Sequence, residues 1–330
     1  MSEQKLDVVG LGNALVDVVT NVEEAFIASN SLNKGAMTLI DASRAVELYG
    51  LMPAAKESSG SSAANTIAAL ASLGSKAGFV GRIGKDALGD VFAHDIRAQG
   101  VTFDDSKRDA SEPTGRCLIV VTPDAERTMN TALAANVNFN TDDLPKALIQ
   151  SARVVYLEGY LYDQPAAMAA FEQAAAWARE AGNETALTLS DSFCVQRHHA
   201  AFRRLVKSVD ILFANEHEIK ALYETEDFDT AARMAAAEVK LAVITRSEKG
   251  ALILHEGKEV LVSAEPVAKL VDLTGAGDAF AAGFLHGYTK GMSLGQAGRI
   301  AALCASEVIG HVGARPEVNL GQFVAQRAAA

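Results

Sequence analysis

The sequence predicts an α/β fold: a mainly parallel sheet covered by helices on both faces, with a small antiparallel sheet added to it. Three observations predict this. Short, wholly apolar runs recur along the 330 residues. Helix-like stretches separate most of them, as βαβ units require. Two regions, 13–41 and 101–133, break that rhythm by alternating apolar and polar positions with no long helix between.

Leu6-Asp-Val-Val-Gly-Leu-Gly12 reads as a strand entering a glycine turn. Ala77–Val80, Val154–Leu157, Ala186–Leu189, Asp210–Ala214 and Leu241–Thr245 read as buried strands, and Ala64–Leu73, Ala166–Ala181, Ala200–Val206 and Ala231–Val239 as helices. Cys117–Met129 reads as a hairpin with Pro123 and Asp124 in its turn. The two alternating regions are expected to form a small β lid inserted in one domain spanning 1–330. No internal repeat or linker interrupts it.

Composition narrows the function. A 49% hydrophobic and 22% charged chain is ordinary globular protein. A net charge of −11 opposes a nucleic-acid role, because a phosphate backbone would be repelled. Cys117, Cys194 and Cys304 are far apart, which argues against a disulfide framework or a thiolate zinc site and fits a reducing cytoplasm. The seven histidines form no metal-binding pattern. The start carries Asp7 in its short apolar run, unlike a signal peptide, and the longest uncharged run, Ser58–Ser75, is too polar for a membrane span.

The strongest chemical signal is Asp272-Leu-Thr-Gly-Ala-Gly-Asp278, followed by a helix-like segment. Gly275, Ala276 and Gly277 would form a small-residue turn at a helix N-terminus. Consecutive amides and the positive end of the helix dipole then make an anion hole. Asp278, in the first turn, places a carboxylate beside it. Such a pair fits phosphoryl transfer, with the amides holding the moving phosphoryl group and the carboxylate taking a hydroxyl proton. The alternative is a plain glycine turn with Asp at a helix start.

Asp272–Asp278 resembles the second signature of the ribokinase-like (PfkB) family of carbohydrate and nucleoside kinases, with Leu273 where Thr is common. Gly81-Arg-Ile-Gly-Lys-Asp86-Ala-Leu-Gly89 resembles the first signature and is assigned structural turns. The resemblance runs from residue 6 to 316. It implies a ribokinase-like α/β/α sandwich with a small β-sheet lid, ATP and Mg²⁺ as requirements, and a small-molecule sugar or nucleoside as substrate. Such a lid is also a candidate contact for a homodimer.

The resemblance carries further residues. In Gly12-Asn13-Ala-Leu-Val-Asp17, Asn13 and Asp17 are expected to bind sugar hydroxyls; a dinucleotide fingerprint fails here because Leu15 replaces its third glycine. In Gly60-Ser-Ser-Ala-Ala-Asn65, Gly60, Ser61 and Asn65 are expected near substrate, with Ser61 standing where the family has a second Gly. Glu158, after a strand, is an expected substrate acid, although a solvated loop carboxylate is an equal reading. Arg127 is a candidate substrate or phosphate clamp, and an exposed strand Arg is the default.

On the nucleotide side the resemblance places Asn215, Thr245, Gly250 and Gly313, with Glu218 serving Mg²⁺ through water. Asn215-Glu-His-Glu218 also reads as a helix capping box. Asp272 and Thr274 stand where some relatives bind a monovalent ion such as K⁺. Arg127-Thr-Met-Asn-Thr131 and Thr188-Leu-Ser-Asp-Ser-Phe193 look closer to adenosine kinases than to ribokinases. The expected reaction is transfer of the ATP γ-phosphate to the ribose 5′-OH of a nucleoside, with Met37 and Leu133 as candidates to stack a purine. A simple sugar kinase for ribose, fructose or a keto-deoxy sugar acid is the alternative, and a non-catalytic nucleoside-binding protein is the third reading.

Overall fold

The computed structural model describes residues 5–124 and 126–328. In chain order the described strands are β1 (Leu6–Leu11), β2 (Leu15–Asn21), β3 (Met37–Leu39), β4 (Lys56–Gly60), β5 (Ala77–Val80), β6 (Thr102–Phe103) and β7 (Gly115–Val121). There follow β8 (Arg127–Ala132), β9 (Ala152–Glu158), β10 (Glu184–Thr188), β11 (Ile211–Asn215), β12 (Leu241–Thr245), β13 (Ala251–His255) and β14 (Lys258–Val262).

Nine of them form one sheet in the order β14-β13-β12-β11-β10-β9-β1-β5-β6. Every pairing from β12 to β6 is parallel, and β13 and β14 add an antiparallel edge. Side chains alternate across this sheet and divide the core in two. Val8, Val154, Tyr156, Phe213 and Val243 pack with helices Ser62–Ser72, Ala276–Thr289 and Leu294–Val308. Val9, Val155, Leu157, Leu212 and Ile244 pack on the other side with helices Pro165–Glu180, His199–Val206 and Phe228–Glu238. This is the α/β/α sandwich expected from the runs of apolar residues. The β13–β14 hairpin was not among the expected strands, although two apolar runs flank its Glu256-Gly257 turn.

The other five strands form a second sheet in the order β3-β8-β7-β2-β4. It is mixed rather than antiparallel, since β2–β7 and β3–β8 pair in parallel, and its boundaries differ from those expected. Lys56–Gly60 supplies an edge strand that lay outside them, while Thr102–Phe103, inside them, pairs with the large sheet. Lys56-Glu-Ser-Ser-Gly60 has no apolar alternation to read, because its backbone ladder to β2 places it rather than burial of one face. Val16, Val18 and Leu118 from one face of the sheet pack with Ala45 and Leu48 of helix Ala42–Leu51. The opposite face carries Asp17.

Candidate active site

Gly12, Glu158, Asn215 and Thr245 lie at the carboxyl ends of β1, β9, β11 and β12, neighbours in a parallel sheet where such folds bind ligands. Asp278 joins them from the first turn of helix Ala276–Thr289. Its Oδ1 accepts from the Ser62 hydroxyl at 2.6 Å and its Oδ2 from the Asn65 side-chain amide at 3.2 Å. Burial raises its pKa above the usual carboxylate value, and these donors and nearby Arg315 oppose the rise. A base with a raised pKa remains an effective proton acceptor near neutrality.

The turn before it has Gly275 at φ +78°, left-handed backbone that favours glycine. A Cβ on Gly277 would meet open space, so no protein atom crowds the turn at that position. Gly277 and Asp278 stand within the first three helical positions, where N–H groups lack an intrahelical acceptor. The Ala276 N–H instead donates to Leu273 O at 3.2 Å. The Ala276 amide is therefore engaged within the turn, and the Gly277 and Asp278 amides are those that the helix start leaves open to an anion.

Asp17 sits on β2 with its carboxyl in the space that a Cβ on Gly60 would fill. Burial pushes its pKa up to about 6; Arg315 and Arg127 pull it down and Asp278 adds to the rise. The strand register shows what surrounds it. Ser58, Asp17, Cys117, Thr131 and Leu39 form one cross-strand row, and Lys56, Val19, Ile119, Met129 and Met37 form the next on the same face. Cys117, Ile119, Val121, Val19 and Met129 make a cluster there, while Met37 and Leu39 stay about half exposed. Met37 thus joins the face expected for it. Leu133 lies just past β8 and outside the two rows.

Glu158 is no solvated loop acid. It is fully buried and accepts from Asn13 N (3.2 Å), Asn13 Nδ2 (2.8 Å), Ser61 Oγ (3.0 Å to each oxygen) and Ala63 N (2.7 Å). Burial pushes its pKa up to about 7. It ties the turn after β1 to the start of helix Ser62–Ser72, so it positions rather than contacts. Asn13 spends its backbone N–H and one hydrogen of its side-chain NH₂ on Glu158, leaving Oδ1 and the second N–H for other partners. Ser61, at φ 84°, adopts a glycine-like conformation and keeps it through its bonds to Glu158.

On the nucleotide side, the capping-box reading of Asn215 and Glu218 holds: Asn215 Oδ1 accepts from His217 N and Glu218 N, and Glu218 accepts from Asn215 N and Nδ2. Glu218 is buried, and burial, together with Asp191 and Asp278, raises its pKa to about 7. Acids that repel one another this way are relieved by a dication, so the donor set fits a hydrated Mg²⁺. Thr245 Oγ1 donates to Ala214 O at 3.5 Å. Gly250 is a packing residue: it is buried, and a Cβ there would collide with Val262 O. Gly313 donates its N–H to Asp272 Oδ2 at 2.8 Å.

Asp272 differs from its expected role. Its Oδ1 accepts from the N–H (2.9 Å) and hydroxyl (2.7 Å) of Thr274, and its Oδ2 pairs with Arg127 of β8 as well as with Gly313. Burial would raise this carboxyl, yet these donors and Arg127 hold it below the usual range. A guanidinium already neutralises the carboxylate, so Asp272 and Thr274 do not fit a monovalent cation. Arg127 is correspondingly no exposed strand residue; it bridges the small sheet to the motif. Its Nε–H has no partner among the described groups.

Arg315 went unrecognised in the sequence, although Gly313, two residues before it, is among the expected nucleotide-side residues. It donates to Asn65 Oδ1 at 2.7 Å and to Ser59 O at 2.6 Å. No sequence signal separates it from other loop arginines; only the fold brings position 315 to positions 59 and 65.

Known proteins resemble this chain in sequence and fold. A family model described as pfkB family carbohydrate kinase matches residues 34–319. An adenosine kinase from Saccharomyces cerevisiae is 28% identical over 308 residues, covering 86% of this chain and 89% of that protein. Among solved structures, adenosine kinase from Sinorhizobium meliloti is similar with 47% identity and a TM-score of 0.90, over 99% of this chain and 100% of that one. A probable sugar kinase protein from Rhizobium etli is similar with 44% identity and a TM-score of 0.91, with the same coverage. Carboxylate, helix amides and a lid of the right register coincide with that match, and the chain belongs to the pfkB family of carbohydrate kinases.

Proposed function

We propose that this kinase transfers the γ-phosphoryl group of ATP to the ribose 5′-OH of a purine nucleoside, as an adenosine kinase does. The observation that carries this reading is the lid face. Asp17, which offers two acceptor oxygens to ribose hydroxyls, shares it with Cys117, Ile119, Met129, Met37 and Leu39. A free sugar has no use for so long an apolar wall, whereas a purine ring stacks on one. The adenosine kinases among its relatives support the same choice.

In this mechanism Asp17 orients the ribose, and Asp278 accepts the proton of the attacking hydroxyl. The hydroxyl oxygen bonds to the γ-phosphorus as the bond to the β–γ bridging oxygen breaks, and ADP leaves. The Gly277 and Asp278 amides hold the charge that spreads over the equatorial oxygens. The unpartnered Nε–H of Arg127 supplies a further donor on the lid side. Mg²⁺, with Glu218 as its water-mediated carboxylate, neutralises phosphate charge when bound. Lid and core together exclude water that would otherwise take the phosphoryl group.

The test is ADP release from MgATP with a panel of nucleosides and free sugars. Turnover of adenosine with ribose and fructose silent is expected. Turnover of ribose with adenosine silent overturns the nucleoside reading and leaves a simple sugar kinase.

A further inference from the structure

We propose that Arg315 is a positioning residue for the catalytic base: it fixes the orientation of Asn65, and so the donor that Asn65 presents to Asp278. The inference rests on the reading of Asp278 as the base. Arg315 reaches from the segment after helix Leu294–Val308 to the start of helix Ser62–Ser72. Its Nε–H donates to Asn65 Oδ1 at 2.7 Å, and one terminal nitrogen donates to Ser59 O (2.6 Å) and Ser59 Oγ (3.0 Å). Ser59 is held in turn, its N–H and hydroxyl both donating to Asp95 Oδ2 at 2.9 and 2.5 Å.

The chemistry of the three groups leaves a single arrangement. A guanidinium can only donate, and an ionised carboxylate can only accept. Asn65, lying between them, must turn its oxygen to Arg315 and its NH₂ to Asp278. Without Arg315 the amide is free to flip, and a flipped amide sets oxygen against carboxylate. The positive charge of Arg315, which is half-buried, also favours the ionised, proton-accepting form of Asp278. The other charged and titratable groups facing Asp278 are Asp17, Glu218, Tyr156 and Tyr160, and none of them is a cation. Arg315 therefore acts on the base by orientation and by charge, without needing to touch substrate.

The sign follows. Removing a cation and a fixed donor raises the pKa of Asp278, and a base that stays protonated to higher pH loses activity on the acid side. The experiment reads single-turnover phosphorylation of adenosine by excess enzyme with saturating MgATP, from pH 5 to 9. Arg315→Ala, Arg315→Gln and Arg315→Lys are compared with the wild type, with melting and ADP binding as controls for the fold. The acid limb is expected to move up by about one pH unit in Arg315→Ala, a tenfold loss of rate below the limb. It should move less in Arg315→Lys, which keeps the charge, and in Arg315→Gln, which keeps a donor for Asn65.

An unchanged acid limb in folded Arg315→Ala overturns the proposal. Should Arg315→Ala fail to fold, the limb of Arg315→Lys and Arg315→Gln decides in the same way. A wild type silent on adenosine counts against the nucleoside reading instead, and ribose then serves as acceptor for the same comparison. Silence on both removes the base reading and this proposal with it.

Discussion

Gly60 is the position where one added carbon should report on Asp17. An ideal Cβ at residue 60 falls on the Cγ, Oδ1 and Oδ2 of Asp17, and the pairing of Leu15 with Gly60 leaves the two strands little room to part. In Gly60→Ala the carboxyl must swing aside and surrender its hydroxyl contacts. A hydrogen bond to a charged group is worth about 1.5–3 kcal/mol, so losing two lowers kcat/KM for the acceptor by about 10²–10⁴. Global stability should change by no more than about 1 kcal/mol, since Ala orders a strand better than Gly. Adenosine kinetics with a coupled ADP assay, ADP affinity by calorimetry and a melting curve form the test. Wild-type kcat/KM in folded Gly60→Ala refutes the placement of substrate on Asp17. An equal loss of ADP affinity refutes the idea that the defect is local.

Asp278→Asn should lower kcat by at least about 10²–10⁴ while ADP still binds; near-normal turnover would mean that the base is elsewhere. Because Arg127 neutralises Asp272, wild-type turnover should be the same in potassium and tetramethylammonium salts, and a strict potassium requirement would sink that reading. Glu158, with its pKa pushed up to about 7, contributes stability that is fully present below the unfolded carboxylate value and lost as pH rises through 7. Glu158→Gln should remove a pH-dependent part of about 3 kcal/mol, seen as a flatter melting temperature between pH 5 and 8. An equally steep profile in the variant would show that Glu158 stays ionised.

The large sheet was legible because strands buried on both faces are written as unbroken Val, Ile and Leu, such as Leu241–Thr245. The glycine turn and the helix start at Asp278 were legible because small residues before a helical run mark such a turn locally. Lys56–Gly60 was not, since a polar edge strand held by its ladder leaves no periodic trace. The burial of Glu158 was not legible: one acid after a strand reads alike whether water or four protein donors surround it. Asn215 and Glu218 carry two readings at once, and the cap found here does not displace the role proposed toward Mg²⁺. Arg315 escaped because its meaning depends on residues some 250 positions away.

One edge strand of the lid, β4, is followed after Ser61 by helix Ser62–Ser72, so the rim of the lid and the cradle of the proposed base are one stretch of backbone. Any tilt of that strand is transmitted through Ser61 to the hydroxyl and amide that steady Asp278. In the proposed reading, an acceptor seated on Asp17 therefore bears on the same stretch of backbone that holds the donors to Asp278.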